Sequence, residues 1–218
     1  MKKFAIIHTT PVTVGLLRDL AGELLPGWEV VDYVDDTILP KLASNGGVLE
    51  DVIEKLERFA GIAEESGAAG ILNACSSVGE AVQRMAQVVS IPVVRIDEAM
   101  AEEAVRRGRR IGIAATVATT LNPTRRLIQA KAASLGVDVD LEPILISEAY
   151  QKLVAGDRDG HDRVLTTALE ELVQRADSVV LAQASMIRVL PKLPEETRYK
   201  FLSSPRSGML KLKKVLEG

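Results

Sequence analysis

The sequence predicts an α/β protein in which helices cover both faces of mostly parallel sheets. Short apolar runs rich in β-branched residues alternate with longer amphipathic stretches along the chain, which is typical of βα units. Of the 218 residues, 47% are hydrophobic and 26% are charged, so the chain is long and apolar enough to bury a core.

Eight strands are predicted from the apolar runs. They are Phe4–Thr9, Trp28–Val34, Ala69–Asn73, Pro92–Arg95, Ile111–Ala115, Val137–Pro143, Ser178–Ala182 and Tyr199–Leu202. Helices are predicted at Glu50–Ser66 and Asp162–Ala176, because apolar residues recur there at helical spacing. Residues 26–27, 45–47 and 156–160 are predicted loops, because they contain Gly with Pro, Asn or other turn residues.

The chain also carries an approximate internal repeat. The apolar run before Thr9 resembles the run before Thr116, 107 residues later. The run into Cys75 resembles the run into Ala184, 109 residues later. Each run is an apolar strand followed by small polar residues, so the repeat predicts two similar lobes that join near residues 97–100.

Composition excludes several kinds of partner. The 27 basic and 30 acidic residues give a net charge of −3, and no basic block predicts nucleic-acid binding. No apolar run approaches the roughly 18 residues of a spanning helix. One cysteine and two separated histidines predict no metal site, and no glycine-rich nucleotide loop occurs. We expect a cytoplasmic protein, since a disulfide framework and a signal-like segment are both lacking.

The candidate binding residues follow predicted strands. Parallel sheets bind ligands beyond the carboxyl ends of their strands, where helix N-termini present free amides. Small residues, most with hydroxyl groups, occupy these turns: Thr9, Pro11, Ser76, Ser77, Thr116, Thr119 and Ser185. They predict a binding site for a carboxylate, while helix capping is at least as common a role for any single one of them.

Cys75 is the foremost catalytic candidate. It follows a strand and precedes a predicted helix, where amides and the helix dipole would lower the pKa of its thiol. An inert buried thiol is an equally good interpretation. His8 ends the first strand and is a second candidate, although a structural role is commoner for such a histidine. His161 is expected at the surface, and Asp32 is expected in a solvated loop.

These residues resemble the aspartate/glutamate/hydantoin racemase superfamily, which includes maleate isomerase and arylmalonate decarboxylase. The motifs are Thr9-Thr-Pro11, Asn73-Ala-Cys-Ser-Ser77, residues 91–100, Ile111 to Thr116 with Thr119, and residues 201–208. The resemblance implies two pseudo-symmetric lobes, residues 1–97 with 203–218 and residues 98–202, and an active site between them. It also implies a small carboxylate substrate, no cofactor, and a homodimer.

Racemases of this type use two cysteines on opposite faces of the substrate. The resemblance places the first at Cys75 and the second position at Ala184, whose methyl group transfers no proton. Ser185 is too weak an acid to replace a thiol. Three interpretations stay open: a single-cysteine isomerase or decarboxylase, a racemase or epimerase with a second base such as His8, and a carboxylate-binding protein without catalysis.

Overall fold

The computed structural model describes residues 2–218 and divides the chain into two compact units. The first unit ends at Ala99 and resumes at Pro205–Gly218, and the second unit is Met100–Ser204. The chain passes from one unit to the other at two points, which lie inside the helices Glu98–Arg107 and Ser204–Glu217. Each point falls two residues after the boundary that the sequence predicted.

Each unit contains one four-stranded parallel sheet flanked by helices. The strands are β1 (Lys3–His8), β2 (Glu29–Val34), β3 (Ile71–Asn73), β4 (Val93–Arg95), β5 (Arg110–Ala115), β6 (Asp140–Leu145), β7 (Ser178–Leu181) and β8 (Phe201–Ser203). The helices are α1 (Val14–Leu24), α2 (Ile38–Ser44), α3 (Glu50–Glu65), α4 (Val82–Val88), α5 (Glu98–Arg107), α6 (Ala118–Leu135), α7 (Ser147–Val154), α8 (Arg158–Val173), α9 (Glu195–Arg198) and α10 (Ser204–Glu217). Within residues 2–218, no helix is both long and apolar enough to span a membrane.

Three further segments are 3-10 helices, and two of them follow equivalent strands. Pro11–Thr13 leads into α1. We call Ser76–Ala81 with its N-cap residue Cys75 the cysteine turn. We call Ala184–Lys192 with its N-cap residue Gln183 the glutamine turn.

The two sheets share one topology. Their strand orders are β2-β1-β3-β4 and β6-β5-β7-β8, and every neighbouring pair is parallel. Successive side chains of β1 enter different cores, because a strand alternates its side chains between the two faces of a sheet. Phe4 packs in the core that contains Leu17 of α1, whereas Ala5 packs in the core that contains Leu56 of α3. Burial on both faces explains why residues 4–7 of β1 form a continuous apolar run.

The eight predicted strands are confirmed, with two notable changes at element ends. β6 begins at Asp140 rather than Val137, because Gly136 ends α6 in a left-handed conformation (φ 65°) and the Val137 N–H still bonds to the Ala132 carbonyl at 3.0 Å. The loop predicted at 156–160 is wrong beyond Asp157. The Asp157 carboxylate accepts the Gly160 N–H at 2.7 Å, which caps α8 four residues earlier than the sequence predicted.

Candidate active site

Equivalent hydrogen bonds match the cysteine turn with the glutamine turn. Thr9 and Thr116 directly follow the central strands β1 and β5. The Ala74 N–H bonds to the Ile7 carbonyl at 2.9 Å, and the Ala182 N–H bonds in the same way to the Ala114 carbonyl at 2.9 Å. Ala74 therefore matches Ala182, and the two N-cap residues that come next match each other.

The position that matches Cys75 is Gln183, and the expectation of Ala184 is wrong. Both residues are N-caps with extended backbone, with φ and ψ of −131° and 118° at Cys75 and −121° and 137° at Gln183. The turns also close alike, since the Val78 N–H bonds to the Cys75 carbonyl and the Met186 N–H bonds to the Gln183 carbonyl. The offset between the turns is one residue shorter than the sequence similarity suggested.

Cys75 lies at the carboxyl end of β3 in contact with the core beside α3. The residue is partly exposed to solvent. The backbone amides of Ser77 and Val78 and the Ser77 hydroxyl lie near the sulfur and act to lower the pKa of the thiol. Cys75 and Ser77 thus belong to the same turn.

The ionisation of Cys75 differs from the expectation. Protein atoms surround the sulfur even though part of the residue reaches solvent, and this burial raises the pKa of the thiol. The nearby Thr9 hydroxyl and the polar groups of Ser77 and Val78 lower the pKa but do not outweigh burial. The raised pKa favours the protonated thiol, the form that can donate a proton.

Thr9 is buried next to the thiol. The residue is 2% exposed, and its Oγ1 makes no hydrogen bond of ordinary geometry within residues 2–218. The hydroxyl lies close enough to the Cys75 sulfur to lower the pKa of the thiol. Pro11, in contrast, is exposed at the start of the short 3-10 helix.

His8 is fully buried and both of its ring nitrogens have partners. Nε2 donates to the Asp32 carboxylate at 2.9 Å, and Nδ1 lies 2.8 Å from the Thr13 hydroxyl. Burial lowers the pKa of His8, opposed by the hydrogen bond to Asp32. Asp32 itself lies inside β2 and also pairs with Arg18, so its expected loop position is wrong. With no exposed surface and no free nitrogen, His8 is not placed to exchange a proton with a ligand.

Gln183 and Thr116 form a closed pair in the second unit. The Thr116 N–H donates to Gln183 Oε1 at 2.8 Å, and Gln183 Nε2 donates to Thr116 Oγ1 at 2.9 Å. These bonds occupy the N–H and the hydroxyl of Thr116, a residue that the sequence assigned to ligand binding. Thr116 is also only 6% exposed. Gln183 was not predicted, because the sequence similarity of the two runs places the matching position one residue later, at Ala184.

The remaining candidates differ in their surroundings. Ser76 is buried in the cysteine turn. Thr119 lies in the first turn of α6, and its Oγ1 is buried without a hydrogen-bond partner in the described chain. Ser185 is partly exposed in the glutamine turn. Thr119 is thus the residue of α6 whose hydroxyl is not already used by the protein.

Three further polar residues near the cysteine turn were missed. Asn73 is completely buried, and its Nδ2 donates to the carbonyls of Cys75 and Val78 at 3.5 and 3.3 Å. Arg95 and Asp97 form a buried pair, with Nε to Oδ1 at 2.6 Å and Nη2 to Oδ2 at 3.1 Å. A polar residue at the end of an apolar strand, as at Asn73 and Arg95, was the available sequence signal.

His161 is not at the surface, contrary to expectation. It is 2% exposed in α8, and its Nδ1 lies 2.7 Å from Oδ1 of the equally buried Asp162. Burial opposes ionisation of Asp162, but bonds from Lys192, His161 and Arg188 outweigh it and lower the pKa of the carboxyl. A cavity of about 420 Å³ adjoins this cluster and contains none of the predicted site residues. Its lining is Asp159, Asp162, Arg163, Thr166, Thr167 and Lys192.

Comparison with solved structures finds the same fold in racemases and a decarboxylase. Picrophilus torridus aspartate racemase has a TM-score of 0.77 at 14% identity, over 100% of this chain and 95% of that chain. A glutamate racemase isoform from Bacillus anthracis has a TM-score of 0.72 at 15% identity, over 99% and 82% of the two chains. A glycine-to-cysteine mutant of arylmalonate decarboxylase has a TM-score of 0.61 at 14% identity, over 99% and 94%.

Sequence comparison identifies the family. No curated protein sequence gives a significant match. The family model described as Asp/Glu/Hydantoin racemase matches residues 9–209, a range that includes β3, the cysteine turn and the glutamine turn. With most of both units covered by that match, the chain belongs to the Asp/Glu/hydantoin racemase family.

Proposed function

We propose that this protein is a cofactor-independent enzyme that acts on a small carboxylate through one cysteine, Cys75, in a reaction of the decarboxylase or isomerase type. The observation that carries the proposal is Gln183. This residue occupies the position that matches Cys75, and its carboxamide is held by Thr116. An amide neither accepts nor releases a proton near pH 7, so a second thiol-like group is lacking at the matched position.

The ionisation of Cys75 favours decarboxylation among these reactions. Loss of carbon dioxide breaks the bond between the α-carbon and the departing carboxylate, and the electron pair stays on the substrate as an enediolate. The S–H bond of Cys75 then breaks, its proton forms the new bond to the α-carbon, and water returns a proton to the thiolate. A neutral thiol, which the raised pKa maintains, is the form that this step requires.

Isomerisation around a double bond would need the opposite form. The Cys75 sulfur would add to the double bond as a thiolate and leave again after rotation around the resulting single bond. The raised pKa of the thiol makes that nucleophile scarcer at pH 7. Racemisation with His8 as second base is less well supported, because both nitrogens of this buried residue are bonded.

The test begins with a thermal-shift screen of small mono- and dicarboxylates, including malonate, maleate and both enantiomers of aspartate. Each stabilising compound is then followed by proton NMR in deuterated water, which reports decarboxylation, isomerisation and α-proton exchange separately. We expect carbon dioxide release with one deuterium at the α-carbon. Stabilisation without turnover of any compound would contradict an enzymatic role and indicate a binding protein.

The Cys75→Ala variant is the matched control. It removes only the sulfur, a single atom packed against the core beside α3, so the unfolding midpoint should decrease slightly and the ligand-induced thermal shift should stay close to that of the wild type. We expect turnover to fall by at least roughly a hundredfold, as when a general acid is removed. Full activity of Cys75→Ala on the same compound would refute the assignment of Cys75.

A further inference from the structure

The first unit contains buried polar side chains that the second unit lacks at matching positions. β3 and β4 align Asn73 with Arg95, and β7 and β8 align Leu181 with Ser203. Through the match of Ala74 with Ala182, Asn73 corresponds to Leu181 and Arg95 corresponds to Ser203. The second unit thus forms the same sheet without an amide or a guanidinium at these places.

Asn73 holds the cysteine turn from the strand side. Its Nδ2 donates to the carbonyls of Cys75 and Val78, the two residues whose backbones close the first turn. Val78 departs from helical geometry, with φ −113° and ψ 19°, so the turn is not stabilised by regular helical geometry alone. Leu181 offers the glutamine turn no such bond.

The Arg95–Asp97 pair holds the same turn from β4. The Arg95 guanidinium is so close to Gly79 that a Cβ at position 79 would lie 2.6 Å from Nη2, which is well inside van der Waals contact. Asp97 is 0% exposed and bonds to Nε and Nη2 of Arg95, which keeps the guanidinium plane in place. The glycine in the cysteine turn and the ion pair therefore fit together.

Burying these polar and charged groups costs desolvation free energy, which indicates a role other than stabilising the fold. A buried ion pair seldom stabilises a fold more than apolar side chains of similar size, and the second unit shows that the sheet does not depend on such a pair here. All three residues act on the segment that carries Cys75. The backbone amides of Ser77 and Val78, which act to lower the pKa of the Cys75 thiol, lie in that segment.

We propose that Asn73 and the Arg95–Asp97 pair are positioning residues for Cys75, which hold the cysteine turn so that its amides point at the sulfur. The proposal rests on the proposed function in that it treats Cys75 as the reacting group. Without these residues, the turn relaxes and the thiolate loses its hydrogen bonds. Asn73 bonds to backbone carbonyls of the turn and Arg95 bonds to Asp97, so the role proposed for them is exerted through the turn.

The experiment uses the residues of the second unit as substitutions. Asn73→Leu and Arg95→Ser introduce into the first unit the residue types that the second unit has at the matching positions, Leu181 and Ser203. Cys75 is the only cysteine of the chain, so the ultraviolet absorbance of the thiolate and the rate of alkylation by iodoacetamide report on this residue alone. Arg110→Ser is the control, because it removes an exposed ion pair with Asp177 in the second unit.

We expect the thiolate titration to move to higher pH in both variants and alkylation near pH 7 to slow by roughly tenfold, the effect of losing one hydrogen bond to a charged group. The Arg110→Ser variant should titrate and react like the wild type. Titrations that coincide with the wild type, or move to lower pH, would overturn the proposal. Loss of the wild-type circular dichroism spectrum in both variants would also overturn it, because it would show that the residues are needed to fold.

The readout is independent of any substrate. If the carboxylate screen finds no turnover but the titrations shift as expected, the proposed function fails while the positioning role stands. If turnover depends on Cys75 but the titrations do not move, the positioning role fails alone.

Discussion

Replacing Gln183 with methionine removes the carboxamide while it keeps most of the side-chain length. The native carboxamide makes two bonds to Thr116, at 2.8 Å to the backbone N–H and at 2.9 Å to the hydroxyl. Methionine can make neither bond, and its flexible thioether fills the vacated space. The substitution therefore isolates the contribution of the hydrogen bonds from that of packing.

The expected loss of stability follows from these contacts. Each neutral hydrogen bond contributes about 1 kcal/mol net, and a buried N–H that loses its partner adds a desolvation cost. Thr116 is 6% exposed, so water reaches its amide poorly. The sum is about 2 to 3 kcal/mol, which corresponds to a decrease of roughly 5 to 10 °C in the melting temperature of a chain of this length.

Urea denaturation followed by circular dichroism measures this difference, and Gln183→Glu provides the comparison. A glutamate can accept both the N–H and the hydroxyl proton of Thr116, so this variant should stay within about 1 kcal/mol of the wild type at pH 7. If Gln183→Met lost less than about 0.5 kcal/mol, the pair with Thr116 would not hold the glutamine turn, and the reasoning would be refuted.

Two other predictions concern proton transfer and pH. Gln183→Cys introduces a thiol at the position that matches Cys75, so this variant should gain exchange of a substrate α-proton with deuterated water, measured by proton NMR. Ala184→Cys should gain no such exchange. Exchange in Ala184→Cys but not in Gln183→Cys would contradict the match between the turns. The pKa of folded His8 lies below its ordinary value of 6.5, so the unfolded chain binds more protons in the window below about pH 6.5. The free energy of unfolding should therefore be highest above about pH 6.5 and should decrease as the pH falls below that value. The decrease should be smaller in His8→Gln. Equal urea midpoints for the two proteins at each pH would show that His8 does not titrate in this way.

The strands could be predicted from the sequence because their signal is local. A run such as Phe4 to Ile7 is apolar at every position because helices cover both faces of the sheet, and that property is visible in the residues themselves. The ends were less certain, since Gly136 and Asp157 extend or cap helices through single hydrogen bonds. The placement of Cys75 after a strand follows from the same local signal.

The environment of each candidate could not be predicted, because it depends on residues distant in the chain. The position after β3 suggested a thiol with a lowered pKa, but burial, a property of the packed structure, raises it. His161 sits beside glycine in a polar stretch, yet α8 and the glutamine turn bury it against Asp162 with Arg188 and Lys192.

From the sequence alone, this protein is determined to have eight parallel strands in a duplicated arrangement with one thiol at a strand end. Strand formation and repetition are carried by short stretches of neighbouring residues, which a sequence displays directly. Only the tertiary structure decided that Gln183 corresponds to Cys75, because the register between β5 and β7 corrects a one-residue error in the alignment of the repeats. It also decided that burial raises the pKa of the thiol and that Asn73 and the Arg95–Asp97 pair adjoin its turn, because desolvation and hydrogen bonding depend on distances through space.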